Sequence, residues 1–149
     1  MAAVDETTLR NELRAAMKAK DALRTGVIRE ILAALKNKAI ENKSTNLDER
    51  EVLAVIKREA KQTAETLDYA RKAGRDATVA ETSARLEVIK SFLPVQLDKE
   101  QLGTIIRGLI DEQQIGSVGP LMKELAERHP GAYDGKLASG IAAAILKER

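Results

Sequence analysis

The chain has 149 residues and no cysteine. Disulfides, thiolate nucleophiles and cysteine-built metal sites are therefore excluded. It has one histidine, His129. Neither a two-histidine zinc motif nor a di-metal bundle of paired Glu-x-x-His steps can be assembled from it. Tryptophan is absent and aromatics make up 2%. The core must then be Leu, Ile, Val and Ala, and side chains for stacking nucleobases are scarce. Strand-type runs of β-branched and aromatic residues are missing. The longest apolar run, Ile141 to Leu146, is far shorter than the roughly 20 residues that cross a bilayer. The opening residues, MAAVDETTLRNEL, hold no apolar signal segment. These absences lead us to expect a soluble cytoplasmic protein with no membrane contact, no metal and no cofactor.

What is abundant is Ala, Leu, Lys, Glu and Arg, all strong helix formers. We read an all-α fold: an N-terminal domain of about four helices with long αα-hairpins, then a small three-helix domain. The apolar spacing predicts a first helix over about 5–20, with Leu9, Leu13, Ala16, Met17 and Lys20 on one stripe and Asp5 as cap. Asp21 caps a second helix that fades near Glu41. Asn46 and Glu49 resemble a capping box for a third, carrying Val52, Val55, Ile56, Thr63 and Leu67 and ending at Gly74. Asp76 is expected to cap a fourth, with Val79, Ser83, Leu86, Ile89 and Leu93. Pro94 to Asp98 read as a linker between domains 1–93 and 98–149. Asp98 and Gln101 form a second capping-box pattern, ahead of Leu102, Ile105, Ile106, Leu109 and Ile110. Gly116 stops that helix and Ser117 caps the next, with Val118, Leu121, Met122 and Leu125. Asp134 caps the last, with Leu137, Ile141, Ala144 and Ile145 as its buried stripe.

Gly103 and Gly108 fall inside the fifth helix, where each costs about 1 kcal/mol against Ala. Close helix approach is the expected compensation.

Catalytic constellations are not evident. His129 and Asp134 are close in sequence, but no strained nucleophile turn leads into a helix. Neither phosphate-cradling glycine motif occurs. Carboxylate groups such as Asp48, Glu49 and Glu51 sit at helix starts, where capping explains them. His129 follows Arg128 at a helix end, a place that favours cations for local reasons.

Net charge is +2. Residues 1–46 hold 9 basic and 6 acidic groups, residues 47–97 hold 9 of each, and residues 98–149 hold 7 and 8. The mild excess lies in the first two helices. Arg10, Arg14 and Lys18 recur at i, i+4 and i+8, one face of one helix, the kind of row that meets phosphates. Any RNA contact would then be through shape and backbone rather than base stacking.

Three motifs in order carry a resemblance. They are Ala15-Ala16-Met17-Lys18-Ala19-Lys20 with Val27-Ile28-Arg29; Ser91-Phe92-Leu93-Pro94-Val95-Gln96-Leu97; and Gly119-Pro120-Leu121-Met122 followed by Gly131-Ala132-Tyr133-Asp134-Gly135-Lys136-Leu137. Together they resemble the GatB/YqeY family, and in particular its free-standing YqeY-like members, over nearly the whole chain. The resemblance implies an N-terminal helical domain and a small tail-like domain. It also implies kinship with the helical and tail region of the GatB component of the tRNA-dependent amidotransferase, whose tail contacts tRNA. That enzyme converts Glu-tRNA(Gln) or Asp-tRNA(Asn) to the amide with glutamine and ATP. The catalytic part of GatB lies outside the resembling region, so a carbon–nitrogen ligase label would be inherited from the larger protein.

Pro94, Gly119, Met122, Gly131, Asp134 and Gly135 are the structural signature. Lys123, Arg128, His129 and Lys136 are candidate nucleic-acid contacts, beside Arg10, Arg14 and Lys18. The sequence departs from the family where it has Ala132 after the first signature glycine, commonly a cation, and Lys123 after the methionine, commonly glycine. The expected role is a tRNA- or RNA-associated binding module. The alternatives are an adaptor for translation or amidotransferase proteins and, lesser, a ligase using glutamine as nitrogen donor.

Overall fold

The computed structural model describes residues 4–148. Among them are seven α-helices and no strand: α1 Glu6–Lys18, α2 Ala22–Glu41, α3 Glu49–Lys72, α4 Asp76–Lys90, α5 Lys99–Gln113, α6 Val118–Arg128 and α7 Gly135–Lys147. The chain divides into two compact units between Leu93 and Pro94.

In the first unit, α1 pairs with α2 and α3 with α4, and α2 packs on both α3 and α4. Its core is aliphatic, with Leu9, Val27, Ile28, Ile31, Val52, Ile56 and Ile89 closed off by Phe92. Arg24 locks this packing at one end. Its guanidinium donates to Glu12 at 2.9 Å and lies 4.9 Å from the centre of the Phe92 ring. A half-buried guanidinium so held is a structural cation. In the second unit, α5, α6 and α7 enclose Leu102, Ile106, Leu109, Ile110, Leu121, Leu125, Ala138, Ala142 and Ile145.

Aspartate starts most of the helices. Asp5, Asp21, Asp48, Asp98 and Asp134 each accept a backbone N–H of the first turn. The capping box of α3 is Asp48 with Glu51, not Asn46 with Glu49. Asn46 is tied back to Ser44, whose hydroxyl donates to its carbonyl at 2.6 Å. Asp76 is the first helical residue of α4 rather than its cap, and Arg75 precedes it with no side-chain cap bond. Ser117 stands at the cap of α6 but its hydroxyl makes no capping bond.

Helix ends show a second regularity. Asp21 N–H bonds Ala16 C=O, Ser44 bonds Ala39, Arg75 bonds Ala70 and Ile115 bonds Ile110, at 2.9–3.2 Å. Each closes a Schellman turn around a left-handed residue: Lys20, Lys43, Gly74 and Gln114. Only Gly74 is the glycine such turns favour. The expected stop at Gly116 is displaced, because Gln114 at φ 51° has already ended α5.

The buried stripes are shifted in two places. Met17 is half exposed and Lys20 is exposed too, leaving Leu9 and Ala16 as the buried face of α1. On α7 the buried residues are Ala138, Ala142 and Ile145, while Leu137 and Ala144 face solvent. Small alanines at the seam let α7 pack closely. Gly108 has no such reason, since a Cβ there would meet nothing within 4 Å, and a Cβ on Gly103 would meet only the Arg107 side chain at 3.4 Å.

Candidate nucleic-acid interface

Each unit contributes one group of sequence-predicted cations. In the second unit, the loop between α6 and α7 is built by its own backbone. His129 ends α6, its N–H bonding Leu125 C=O at 2.9 Å. Gly131 takes φ +70°, a conformation a side chain would strain. Asp134 Oδ1 then accepts the N–H groups of Lys136 at 2.8 Å and Leu137 at 3.1 Å, starting α7.

The segment after Leu93 is fastened to this loop. Leu97 N–H donates to Ala132 C=O at 2.7 Å. Gln96 Nε2 donates to Gly131 C=O at 2.8 Å and to Pro94 C=O at 3.0 Å. Two signature motifs far apart in sequence are thus one hydrogen-bonded structure. Pro94, Gln96, Gly131 and Asp134 have architectural work that requires no ligand, whereas a Cβ on Gly135 would meet nothing within 4 Å. Ala132 is buried within it.

The four expected contacts of this unit do not form one even patch. Arg128 donates to Glu124 at 2.8 Å and lies 3.5 Å from Glu112 of α5. The hydrogen bond to Glu124, helped by the nearby Glu112, holds its pKa above the ordinary arginine value. Lys123 precedes Arg128 by five residues, about 140° around the helix. Lys123 and Lys136 are exposed and form no ion pair among the described residues. His129 is half-buried.

In the first unit, Arg10, Arg14 and Lys18 do share the exposed face of α1. Arg10 is neutralised by Glu6 at 2.7 Å. Arg14 donates to the Asn11 amide oxygen at 3.0 Å. The α1–α2 corner adds two cations outside that row. The Schellman turn leaves Lys20 exposed, and Arg29, two turns into α2 on its exposed side, reaches the Met17 sulfur at 3.8 Å. Arg14, Lys18, Lys20 and Arg29 all lack a carboxylate partner among the described residues. Spacing alone hides Lys20, because it falls in register with the apolar stripe. Asp21, next to Lys20 in sequence, is engaged as the α2 cap, accepting Arg24 N–H at 3.0 Å. A separate groove of about 560 Å³ at the start of α1 is lined by both signs of charge, including Asp5, Glu6, Arg10 and Lys36.

Among the described residues no three His, Cys, Asp or Glu side chains gather as metal ligands. Among the same residues no helix is long and apolar enough to cross a membrane.

Comparison with known proteins places these features. Among curated proteins, the chain is 30% identical over 122 residues to "Altered inheritance of mitochondria protein 41, mitochondrial" of Lachancea thermotolerans, covering 82% of this chain and 60% of that protein. It is 31% identical over 85 residues to the protein of the same name from Eremothecium gossypii, covering 57% of this chain and 46% of that protein. The chain thus spans about half to three fifths of the length of these relatives. The Yqey-like protein family matches residues 6–146, nearly the whole chain, including both hydrogen-bonded signature motifs and the α1–α2 corner. The chain belongs to the Yqey-like family.

Proposed function

We propose that this protein is an RNA-associated binding module, with tRNA as the RNA that kinship to the amidotransferase tail suggests, and that it acts by binding rather than by catalysis. The observation that carries this reading is the α1–α2 corner. Residues 14–29 hold five basic side chains and one acidic one. Four of the five, Arg14, Lys18, Lys20 and Arg29, lack a carboxylate partner among the described residues. Phosphates bind where exposed cations cluster unneutralised, and releasing their counterions drives association. In the second unit, Lys123 and Lys136 are exposed cations of that unit's own surface. Arg128 adds less, being engaged by two glutamates.

The two relatives named above carry mitochondrial names. The reading therefore suits a translation apparatus in the cytoplasm or in mitochondria.

The test is tRNA binding by fluorescence anisotropy across a salt series. Affinity should fall linearly on a log–log plot, and each phosphate-contacting cation that is reversed should reduce the slope by about 1. Lys18→Glu with Lys20→Glu and Arg29→Glu should weaken binding more than Lys123→Glu with Arg128→Glu and Lys136→Glu. Absence of binding by the unaltered protein at low salt would refute the reading. Amide formation by the purified chain with glutamine, ATP and Glu-tRNA would favour the ligase alternative instead.

The adaptor alternative has one observation of its own. Leu137, Gly140 and Ala144 leave an exposed apolar stripe on α7. Binding to purified amidotransferase proteins that Ala144→Glu abolishes would support it.

A further inference from the structure

The α1–α2 corner is more than a charged surface. It carries a shallow, open cup of about 390 Å³ lined by Met17, Lys20, Asp21, Ala22, Thr25, Gly26 and Arg29. We infer that this cup seats a single unpaired nucleotide of a single-stranded or looped RNA, its phosphate on the cations and its base against Met17. The inference rests on the RNA-binding reading above and names which part of an RNA the hairpin takes.

Three features favour a base rather than a bare phosphate. Met17 is 50% exposed although it is a large apolar side chain, and the Arg29 guanidinium beside its sulfur marks one wall of the cup. Thioether sulfur packs well against aromatic rings, and an arginine plane stacks on them. Gly26 sits within α2, where glycine is a poor helix former. A Cβ at Gly26 would meet no atom within 4 Å, so nothing in the packing of the first unit demands a glycine. What its missing side chain leaves is room in the cup. The volume of about 390 Å³ lies at the low end of the roughly 300–1,000 Å³ typical of small-molecule sites, a size that suits one nucleotide.

The cations supply the other half. Lys20 and Arg29 stand on the rim, with Arg14 and Lys18 along the adjoining face of α1. The one carboxylate of the cup, Asp21, is turned to its capping bond. A continuous duplex could lie on these cations but keeps its bases stacked. An unpaired nucleotide can present phosphate and ring together. An anionic membrane would meet the same charges, but Met17 is the one large apolar side chain exposed here.

Gly26→Leu fills the cup without altering a charge and replaces a poor helix former by a good one. Its thermal unfolding should confirm that the fold is kept. By anisotropy, it should bind a labelled single-stranded oligoribonucleotide roughly tenfold more weakly, the order of effect of losing one stacked base. Its affinity for the duplex of the same sequence should not change. Lys18→Glu should weaken both. If Gly26→Leu binds the single strand as the unaltered protein does while Lys18→Glu is impaired, the seat is refuted and the RNA-binding reading stands. If the unaltered protein binds neither RNA at low salt, both fall. Capture by phosphatidylserine vesicles, lost in Gly26→Leu while the single strand is unaffected, would also refute the seat.

Discussion

The two units use the same building rules and leave different surfaces. Both start helices with aspartate caps and end them with Schellman turns. In the second unit the signature residues are spent on a closed hydrogen-bonded loop, and Arg128, its best-placed cation, is held by two glutamates. In the first unit the signature around Met17, Lys18 and Lys20 leaves its polar groups facing solvent, with only Ala16 of that stretch in the core. Family motifs are therefore of two kinds here. One kind is explained by backbone geometry, and the other is left over after the fold is accounted for. The leftover kind is where binding is to be sought.

Removing the α7 cap tests the first kind. Asp134→Ala takes away the acceptor of the Lys136 and Leu137 N–H groups and should lower stability by about 1 kcal/mol, read by chemical denaturation. At temperatures where the variant is fully folded, its RNA affinity should match that of the unaltered protein. A folded Asp134→Ala protein that had lost RNA binding would erase the distinction between the motifs.

A smaller effect should separate the units by pH. Glu59, half-buried on α3, has its pKa raised chiefly by burial and further by the negative charge of Glu30, with Arg58 and Arg85 opposing. Glu30 is paired with Arg85 of α4. A carboxyl raised in the folded state keeps its proton longer there than in the unfolded chain. Its contribution is therefore full below the ordinary value of 4.5 and is lost as pH rises through the folded pKa. Glu59→Gln should flatten this loss between pH 4.5 and neutrality and leave the protein more stable at neutral pH. The effect is modest because the side chain keeps part of its hydration. Denaturation midpoints at several pH values would show it, and an unchanged pH profile would rule it out.

Helix identity and order were legible because aliphatic spacing and aspartate caps are local signals. Asp5, Asp21, Asp98 and Asp134 all cap where their spacing predicts. The misreadings share a cause. The buried phase of α7 turns on Ala138 and Ala142, and alanine is as common on surfaces as in seams, so the larger Leu137 drew the stripe one residue off. The same preference for size placed exposed Met17 in the core. At the candidate site, spacing on one helix found Arg14 and Lys18. Lys20 and Arg29 come together with them only through the turn between α1 and α2, a tertiary fact no periodicity contains. Neutralisation of Arg10 follows an i, i+4 pair with Glu6 that spacing could have shown, whereas Glu112 reaches Arg128 from another helix.

The smallest effect concerns the helix ends the sequence hid. A left-handed turn is read from glycine, and of the four Schellman turns only that at Gly74 has one; Gln114 occupies the equivalent place at the end of α5. A non-glycine residue there carries roughly 1–2 kcal/mol of backbone strain. Glycine would remove it but adds about 0.4–1 kcal/mol of unfolded-chain entropy to be lost. Gln114→Gly should then stabilise the second unit by about 0.5 kcal/mol, and Gly74→Gln should destabilise the first by a similar amount. Both are read as shifts in denaturation midpoint at constant slope. Opposite signs of similar size would show that the two units close their helices by one geometry with different residues. Two destabilisations would mean that the Gln114 side chain contributes contacts of its own beyond the turn it completes.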